Sequence, residues 1–426
     1  MIYFESGSAE SELSNDDLRK GLVEALSKIG PRNRVLVVPP DITRIHSRAG
    51  EITSLLYELL GTKLKDVLPA LGTHTPMTNR ELDEMFKGVP KNLIRVHDWR
   101  NDVVTTGIVP SEFISKITGG MITYDWPAQV NRLVKHGGHD IILSVGQVVP
   151  HEVIGMANYN KNLFVGTGGA EGINKSHFIG AVYGMERIMG KADNPVRQLL
   201  NYASEKFIKD LPVIYILTVI GRDESGKLVM RGLYIGDNED VFLHAADLSI
   251  KVNFTVLDKS LKKVVVYLDP SEFKSTWVCN KSIYRTRMAL ADEGELIVLA
   301  PGLREFGEDR EIDRLIRKYG YRGTPYTLNS VKQNEELRNN LGAAAHLIHG
   351  SSEGRFSVTY CPGHLSFNEI ESVNFKYAPL DEMIKKYNPE KLKEGTNIFE
   401  DGDEIFYISN PALGLWASKE RLYNEL

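Results

Sequence analysis

Apolar and polar positions along the first 250 residues follow two alternating periods. Short, mostly β-branched apolar runs read as buried strands, and the longer stretches between them repeat at helical spacing. Residues 34–38 form one such run and stop at Pro39-Pro40. Residues 52–60 have helical periodicity. Residues 67–71 read as a second strand, ended by Gly72. Thr78-Asn79-Arg80-Glu81 has the form of a capping box and predicts a helix start. Residues 141–145 predict a strand running out at Pro150-His151, and residues 163–165 a short strand leading into a glycine-rich turn. Residues 173–189 then place Phe178, Val182, Met185 and Met189 at helical spacing. Alternation of this kind predicts a mostly parallel sheet with helices on its faces.

The rhythm changes at Val213. Residues 213–220, 228–235, 252–257 and 264–268 follow one another with turns between them and read as antiparallel strands completing a first domain. After Asp269-Pro270 a second α/β set begins, with strands at 296–300, 356–360 and 405–408 and a charged helix at 311–318. The expectation is two α/β domains, 1–270 and 271–426, with a mostly parallel sheet in the first and an active-site cleft between them. No internal repeat or low-complexity segment interrupts this order.

Composition narrows the class only a little. A chain of 426 residues that is 42% hydrophobic has enough core to fold without disulfide or metal. Cys279 and Cys361 are its two cysteines, too few for a cysteine-ligand zinc site or a disulfide framework, and they fit a reducing compartment. The first residues lack the basic start and apolar run of a secretory signal. The most apolar stretch, 212–221, is about half a membrane span. A net charge of -5 with no long basic run argues against nucleic acid as a partner. A cytoplasmic protein with neither membrane nor nucleic-acid partners is expected.

Several polar residues fall just past predicted strand ends. Asp41 and Arg44 follow the first strand, His74 the second and His151 the third, and the turn from Gly166 to Gly172 follows residues 163–165. Ligands in open α/β sheets bind outside such carboxyl ends. Each residue also has a plainer reading. A loop histidine is more often a surface or capping residue, Asp41 can cap the next helix, Lys161 can be solvated, and the glycines can make only a tight turn. The turn resembles a dinucleotide fingerprint weakly, since it lies far from the first strand and lacks a later acidic partner. A phosphate held by backbone N–H groups at the following helix start suits it better. On that helix His177 shares a face with Ile173, Gly180 and Gly184. Two glycines on one face mean either a bulky neighbour or a close helix-strand contact.

Taken together, the run Pro40-Asp41-Ile42-Thr43-Arg44, the segment from Gly72 to Thr78, and His151, Lys161 and His177 at spacings of ten and sixteen resemble the nickel-dependent lactate racemase family. The resemblance covers the chain well to about residue 270. It implies a nickel pincer nucleotide, a pyridinium mononucleotide with two sulfur-bearing arms, held covalently by Lys161. It implies nickel bound by the cofactor and by His177, with His74 and His151 as acid and base. Asp41 would line the cofactor site, and Thr167, Gly168 and Gly169 would hold the phosphate. The implied partners are a small 2-hydroxy acid and the proteins that make the cofactor. The activity would be racemisation or epimerisation at C2 of that acid. The C2 hydrogen is too weakly acidic for a side chain to remove as a proton, so an electrophilic hydride acceptor is needed. Inversion then calls for a base on each face, and histidine suits that step. Sulfur and imidazole around a square-planar centre suit nickel.

Two departures bear on the substrate. Lactate-specific members have a glycine-rich turn before the lysine, where this chain has Asn158-Tyr159-Asn160. Their Tyr-Gln-x-x-Lys run aligns with Tyr284-Arg285-Thr286-Arg287-Met288. Carboxylate binding would fall to Arg44 and to Arg285 or Arg287, whose planar forks suit it, and a larger hydroxy or sugar acid becomes a candidate. Two rivals remain open. A metal-dependent hydrolase or lyase would use the histidines directly, although compact ligand spacing is lacking. A non-catalytic binding protein would have no use for a lysine fixed ten residues after His151.

Overall fold

The computed structural model describes residues 1–223 and 225–423. They form two compact units, Met1–Ile179 with Ile188–Asn253, and Gly180–Arg187 with Phe254–Leu426. Among the described residues no helix is long and apolar enough to cross a membrane.

The first unit is built on a six-stranded sheet. Its strands are β1 (Ile2–Gly7), β2 (Val35–Val38), β3 (Leu64–Val67), β4 (Ile141–Gln147), β5 (Val213–Arg222) and β6 (Leu228–Gly236), in the order β1-β6-β5-β4-β2-β3. The four strands β5, β4, β2 and β3 run parallel, and β6 and β1 add antiparallel edges. Successive side chains of a strand point to opposite faces, and β5 makes that visible. Ile214, Ile216 and Ile220 pack with Leu18, Leu22, Ile52 and Leu56 on one face. Tyr215, Leu217 and Val219 pack with Phe242, Ala245 and Leu248 on the other. Each such side chain, fully buried, contributes about 1.5–3 kcal/mol. Helices Asn15–Ile29 and Ala49–Leu60 thus cover one face and Glu239–Asn253 the other. The Thr78 capping box is present, with Glu81 answering the Thr78 side chain.

The second unit has its own sheet of six strands: β7 (Leu261–Tyr267), β8 (Leu290–Ala300), β9 (Ser357–Pro362), β10 (Lys376–Tyr377), β11 (Gly395–Ile398) and β12 (Glu404–Ile408). The order is β10-β9-β8-β7-β12-β11, parallel except for the β11–β12 edge.

Five local expectations differ from the structure. The strand expected at residues 67–71 is Leu64–Val67, and beyond it an isolated bridge of Ala70 to Pro40 continues the pairing. Residues 264–268 lie in β7, a central parallel strand of the second sheet rather than an antiparallel strand of the first, so the units divide at Asn253 and Phe254, ahead of residue 270. Residues 252–253 end a helix, and Thr255–Leu257 pairs parallel with Trp416–Ser418. Residues 163–164 end the short helix Asn160–Phe164, and no strand forms there. A short apolar run does not distinguish strand from buried helix by period alone. The helix bearing His177, Ala170–Tyr183, stops before Gly184, whose φ of 108° no helix accommodates. Gly180 alone therefore continues the His177 face.

Candidate active site

The parallel alignment of β2, β3 and β4 puts their carboxyl ends on one edge, with Val38 opposite Ser144 and Val37 opposite Val67. Pairing continues past the strands, where the Ala70 N–H donates to the Pro39 carbonyl at 2.7 Å. Beyond it Gly72, at φ 57°, turns the chain and donates its N–H to the Gly166 carbonyl at 2.8 Å. This bond ties the His74 loop to the glycine-rich turn.

His74 is exposed, and its Nδ1 lies 2.6 Å from Oδ2 of the buried Asp41. The other oxygen of Asp41 accepts from the Thr43 N–H at 3.2 Å and the Thr43 hydroxyl at 2.5 Å. Asp41 therefore caps the turn Ile42–Ser47 and also orients His74. Burial opposes its charge, but the bonds from His74 and Thr43 outweigh burial and hold its carboxyl below the usual range. Arg44 stands exposed on the same turn.

His151 is buried, and its Nδ1 accepts the Val153 N–H at 3.1 Å. Burial, then the nearby charges of Lys161, Arg44 and His177, push its pKa well below the ordinary value, against Glu152. Lys161 is pushed down to about 8 by burial and Arg44, with Arg197 adding and Glu152 and Asp41 opposing. His177 is pushed down to about 4 by burial and Lys161, against the Ile173 carbonyl and Glu152. Lys161 and His177 keep an accessible edge while protein crowds their other sides. These mutual influences bring Asp41, Arg44, His151, Lys161 and His177 into one neighbourhood, with His74 joined through Asp41.

The placement of His177 and Lys161 is tightly determined. His177 Nδ1–H donates to the Ile173 carbonyl at 2.7 Å, one turn back, which leaves Nε2 as the ring's remaining donor atom. Lys161 sits between two fixed asparagines. Asn162 donates to the Val38 carbonyl at 2.9 Å and the Ser144 hydroxyl at 3.0 Å, and Asn160 to Asn201 at 2.7 Å. Just before them, Asn158 and Tyr159 have φ of 65° and 59°, the left-handed region where side chains are rare. Such residues cost of order 1–3 kcal/mol each and persist only where the surroundings hold them.

The glycine-rich turn is close-packed. A Cβ at Gly168 would lie 1.9 Å from the Phe164 carbonyl oxygen, and one at Gly169 would lie 2.5 Å from Gln129 Oε1. Thr167 is fully buried, and its hydroxyl donates to the Leu163 carbonyl at 2.6 Å. The amides left for an anion at the start of Ala170–Tyr183 are those of Ala170 and Glu171, since the Gly172 N–H donates to Gln129 Oε1 at 3.2 Å and the Ile173 N–H to the Gly169 carbonyl at 3.0 Å. The buried His97, between Asn131 and the Gly168 carbonyl at 3.0 Å each, steadies that turn.

Arg285 lies half-buried on the helix Lys281–Thr286 of the second unit. Arg287 is buried, with Nε on Glu186 at 3.0 Å and Nη1 on the His349 and Ser351 carbonyls. The Tyr284 hydroxyl meets His346 Nδ1 at 2.9 Å. Among the described residues no group of three or more His, Cys, Asp or Glu side chains is placed to hold a metal ion. Two residues of the site escaped the sequence reading. Glu152, its carboxylate 3.9 Å from His151 Nδ1, was visible as a neighbour of His151. Arg197 carried no sequence signal.

With this geometry the comparison with known proteins has a definite outcome. Residues 21–187 match the lactate racemase N-terminal domain. All the first-unit candidates, from Asp41 to His177, fall inside the match, so the resemblance to the lactate racemase family holds for this segment. The lactate racemase apoprotein from Thermoanaerobacterium thermosaccharolyticum has the same fold, with a TM-score of 0.68 at 16% identity, covering 96% of this chain and 91% of that one. A crystal structure of a Thermotoga maritima protein is similar at 25% identity and a TM-score of 0.78, covering 98% and 100%. No curated protein sequence matches the chain. The lactate racemase-like domain over residues 21–187 points to a racemase-type enzyme.

Proposed function

We propose that the chain inverts C2 of a 2-hydroxy acid with a nickel pincer nucleotide carried on Lys161. The observation that supports this reading most is the grouping of Lys161, His151 and His177, with the His74–Asp41 pair joined through Asp41. The residues suit the group. His177 offers a single ring nitrogen, Nε2, as befits a metal whose other donors come from a cofactor. Lys161, with a lowered pKa, offers a readily neutral amine for a covalent link. When bound, the cofactor supplies an electrophilic carbon that accepts hydride from C2.

The chain's own residues do the rest. Neutral His74, its Nδ1 proton directed at Asp41, presents a bare Nε2 that can take the hydroxyl proton. His151 serves the opposite face. Arg44 holds the substrate carboxylate, and Arg285 is the second-unit candidate for the same task. The first turn of Ala170–Tyr183 receives the cofactor phosphate beside Thr167, Gly168 and Gly169. The Asn158-Tyr159-Asn160 turn and the Arg285 and Met288 departures favour an acid larger than lactate. The cytoplasm and the cofactor-making proteins follow as compartment and partners.

Mass spectrometry of protein purified from a host that makes the cofactor tests this. An adduct mapping to the Lys161 peptide, absent in Lys161→Ala, is expected, together with racemisation or epimerisation in a panel of 2-hydroxy acids. Bound zinc with no chromophore and no adduct would favour the hydrolase or lyase alternative.

A further inference from the structure

Arg197 is fully buried, yet no carboxylate bonds its guanidinium directly among the described residues. It comes from the helix Pro195–Phe207 and gathers oxygens from one short stretch of chain. Nη2 donates to the Met156 carbonyl at 2.7 Å, both Nη atoms reach the Asn158 carbonyl at 3.3 Å, and Nη1 donates to Asn160 Oδ1. The plane rests on Phe242, 4.2 Å from the ring centroid, and Tyr159 stacks on the same ring at 5.2 Å. Glu239 joins only through Asn201 and Asn160. A buried charge without a direct counter-ion is costly, and apolar residues of similar size often replace such groups without loss of stability. Both Nη atoms are spent on the left-handed Asn158–Tyr159 turn and the residues that flank it, immediately before Lys161, while the buried Nε has no hydrogen-bond partner among the described residues.

We propose that Arg197 is the positioning residue for Lys161, its guanidinium holding the turn from which the amine is presented to an acylating partner. The inference rests on the reading of Lys161 as the attachment residue. A lysine in place of Arg197 keeps the charge but cannot gather three oxygens on two planar arms. Charge and geometry are therefore separable.

The test labels the full-length apoprotein with trace acetic anhydride across a pH series and reads each lysine by peptide mass spectrometry. The amine nitrogen forms the new N–C bond, acetate leaves, and the proton passes to water. Wild-type Lys161 should react with a midpoint near 8, below the ordinary lysine value of 10.5, and the exposed Lys20 serves as the rate reference. Both Arg197→Met and Arg197→Lys should lower its rate relative to Lys20 by about tenfold or more, the scale expected of a displaced reacting group. Asn158→Gly, which keeps the carbonyl and relieves the left-handed backbone, should retain the wild-type profile. If Arg197→Met does not fold, Asn160→Ala removes one acceptor and should move the Lys161 rate the same way. An unchanged Lys161 profile in folded Arg197→Met and Arg197→Lys overturns the proposal, as does retention in Arg197→Lys with loss in Arg197→Met, which would leave charge as the whole effect. The probe needs no nickel or nucleotide. A response to Arg197 without any cofactor adduct in vivo would sink the attachment role of Lys161 and the proposed function, and leave only the positioning of its amine by Arg197.

Discussion

Asp41 Oδ2 lies 2.6 Å from His74 Nδ1, while its other oxygen is already taken by the Thr43 N–H and hydroxyl. The arrangement fixes which ring nitrogen of His74 carries the proton. A carboxylate only accepts, so Nδ1 keeps its hydrogen, and in the neutral ring Nε2 is the bare nitrogen. His151 is engaged in the opposite sense, because its Nδ1 accepts the Val153 N–H. In neutral form its proton sits on Nε2. The two neutral rings are thus opposite tautomers, His74 with Nε2 bare and His151 with Nε2 protonated.

Asp41→Asn should reverse the His74 tautomer. The oxygen of the new amide would stay with the two Thr43 donors, and its NH₂ would face His74 Nδ1 and force the proton to Nε2. Turnover should fall by ~10²–10⁴-fold, the usual worth of one acid–base group. Imidazole ¹⁵N chemical shifts check the tautomer directly. Full activity with an unchanged His74 signal would remove Asp41 from the acid–base machinery.

His177→Ala should lose nickel while the fold survives. The ring bonds its own helix through the Ile173 carbonyl and makes no other hydrogen bond among the described residues, so truncation leaves the packing of Phe178, Ile179 and Val182 in place. Elemental analysis of protein from a cofactor-making host reads the metal, and circular dichroism reads the fold. Stoichiometric nickel in the variant would make the ligand assignment wrong.

Strand ends are partly legible in the sequence because buried parallel strands are short apolar runs: β2 stops before Pro39 and β4 ends with the polar Gln147, whereas β3 ends at Val67, four residues before the expected end at Leu71. That is enough to place Asp41, His74 and His151 on one edge. The Asn160–Phe164 helix is not legible, since Leu163 and Phe164 supply too few positions to define a period. Nor is the turn before Lys161. Left-handed backbone is ordinarily announced by glycine, and here Asn158 and Tyr159 adopt it under the hold of Arg197, 36 residues after Lys161. A contact of that range leaves no periodic trace. Strand β7 reads as part of the first unit because an apolar run does not reveal which sheet it joins.

Stability should depend on pH through Lys161. Its folded pKa, about 8, lies below the ordinary 10.5. Between those values the unfolded chain binds a proton that the folded chain lacks, so stability rises with pH across that window. Below about 8 both states are protonated, and the full cost of the buried charge is present. Lys161→Met removes the titration. Denaturation midpoints of wild type should climb from pH 8 toward 10 relative to those of Lys161→Met, and parallel curves would show that the amine is not perturbed.

His74→Ala and His151→Ala should each lose ~10²–10⁴-fold in turnover while retaining cofactor and nickel, since one group handles the hydroxyl proton and the other its return. The two losses differ in what else they disturb. His74 is exposed, and its ring bonds Asp41 alone among the described residues, so its loss leaves the core untouched. His151 is buried and caps the Val153 N–H, so its loss also frees a backbone donor and should lower thermal stability. A fall in cofactor loading together with rate in His74→Ala would mean that His74 only supports the turn before Pro76. The fate of the C2 hydrogen decides the route. If it leaves and returns as hydride, turnover in D₂O should leave C2 largely unlabelled, because the histidines exchange only the hydroxyl proton with solvent. Deuterium filling C2 at the full rate of inversion would instead mean that one of the histidines removes C2–H as a proton, and the pairing of Lys161 with a hydride-accepting group would lose its purpose.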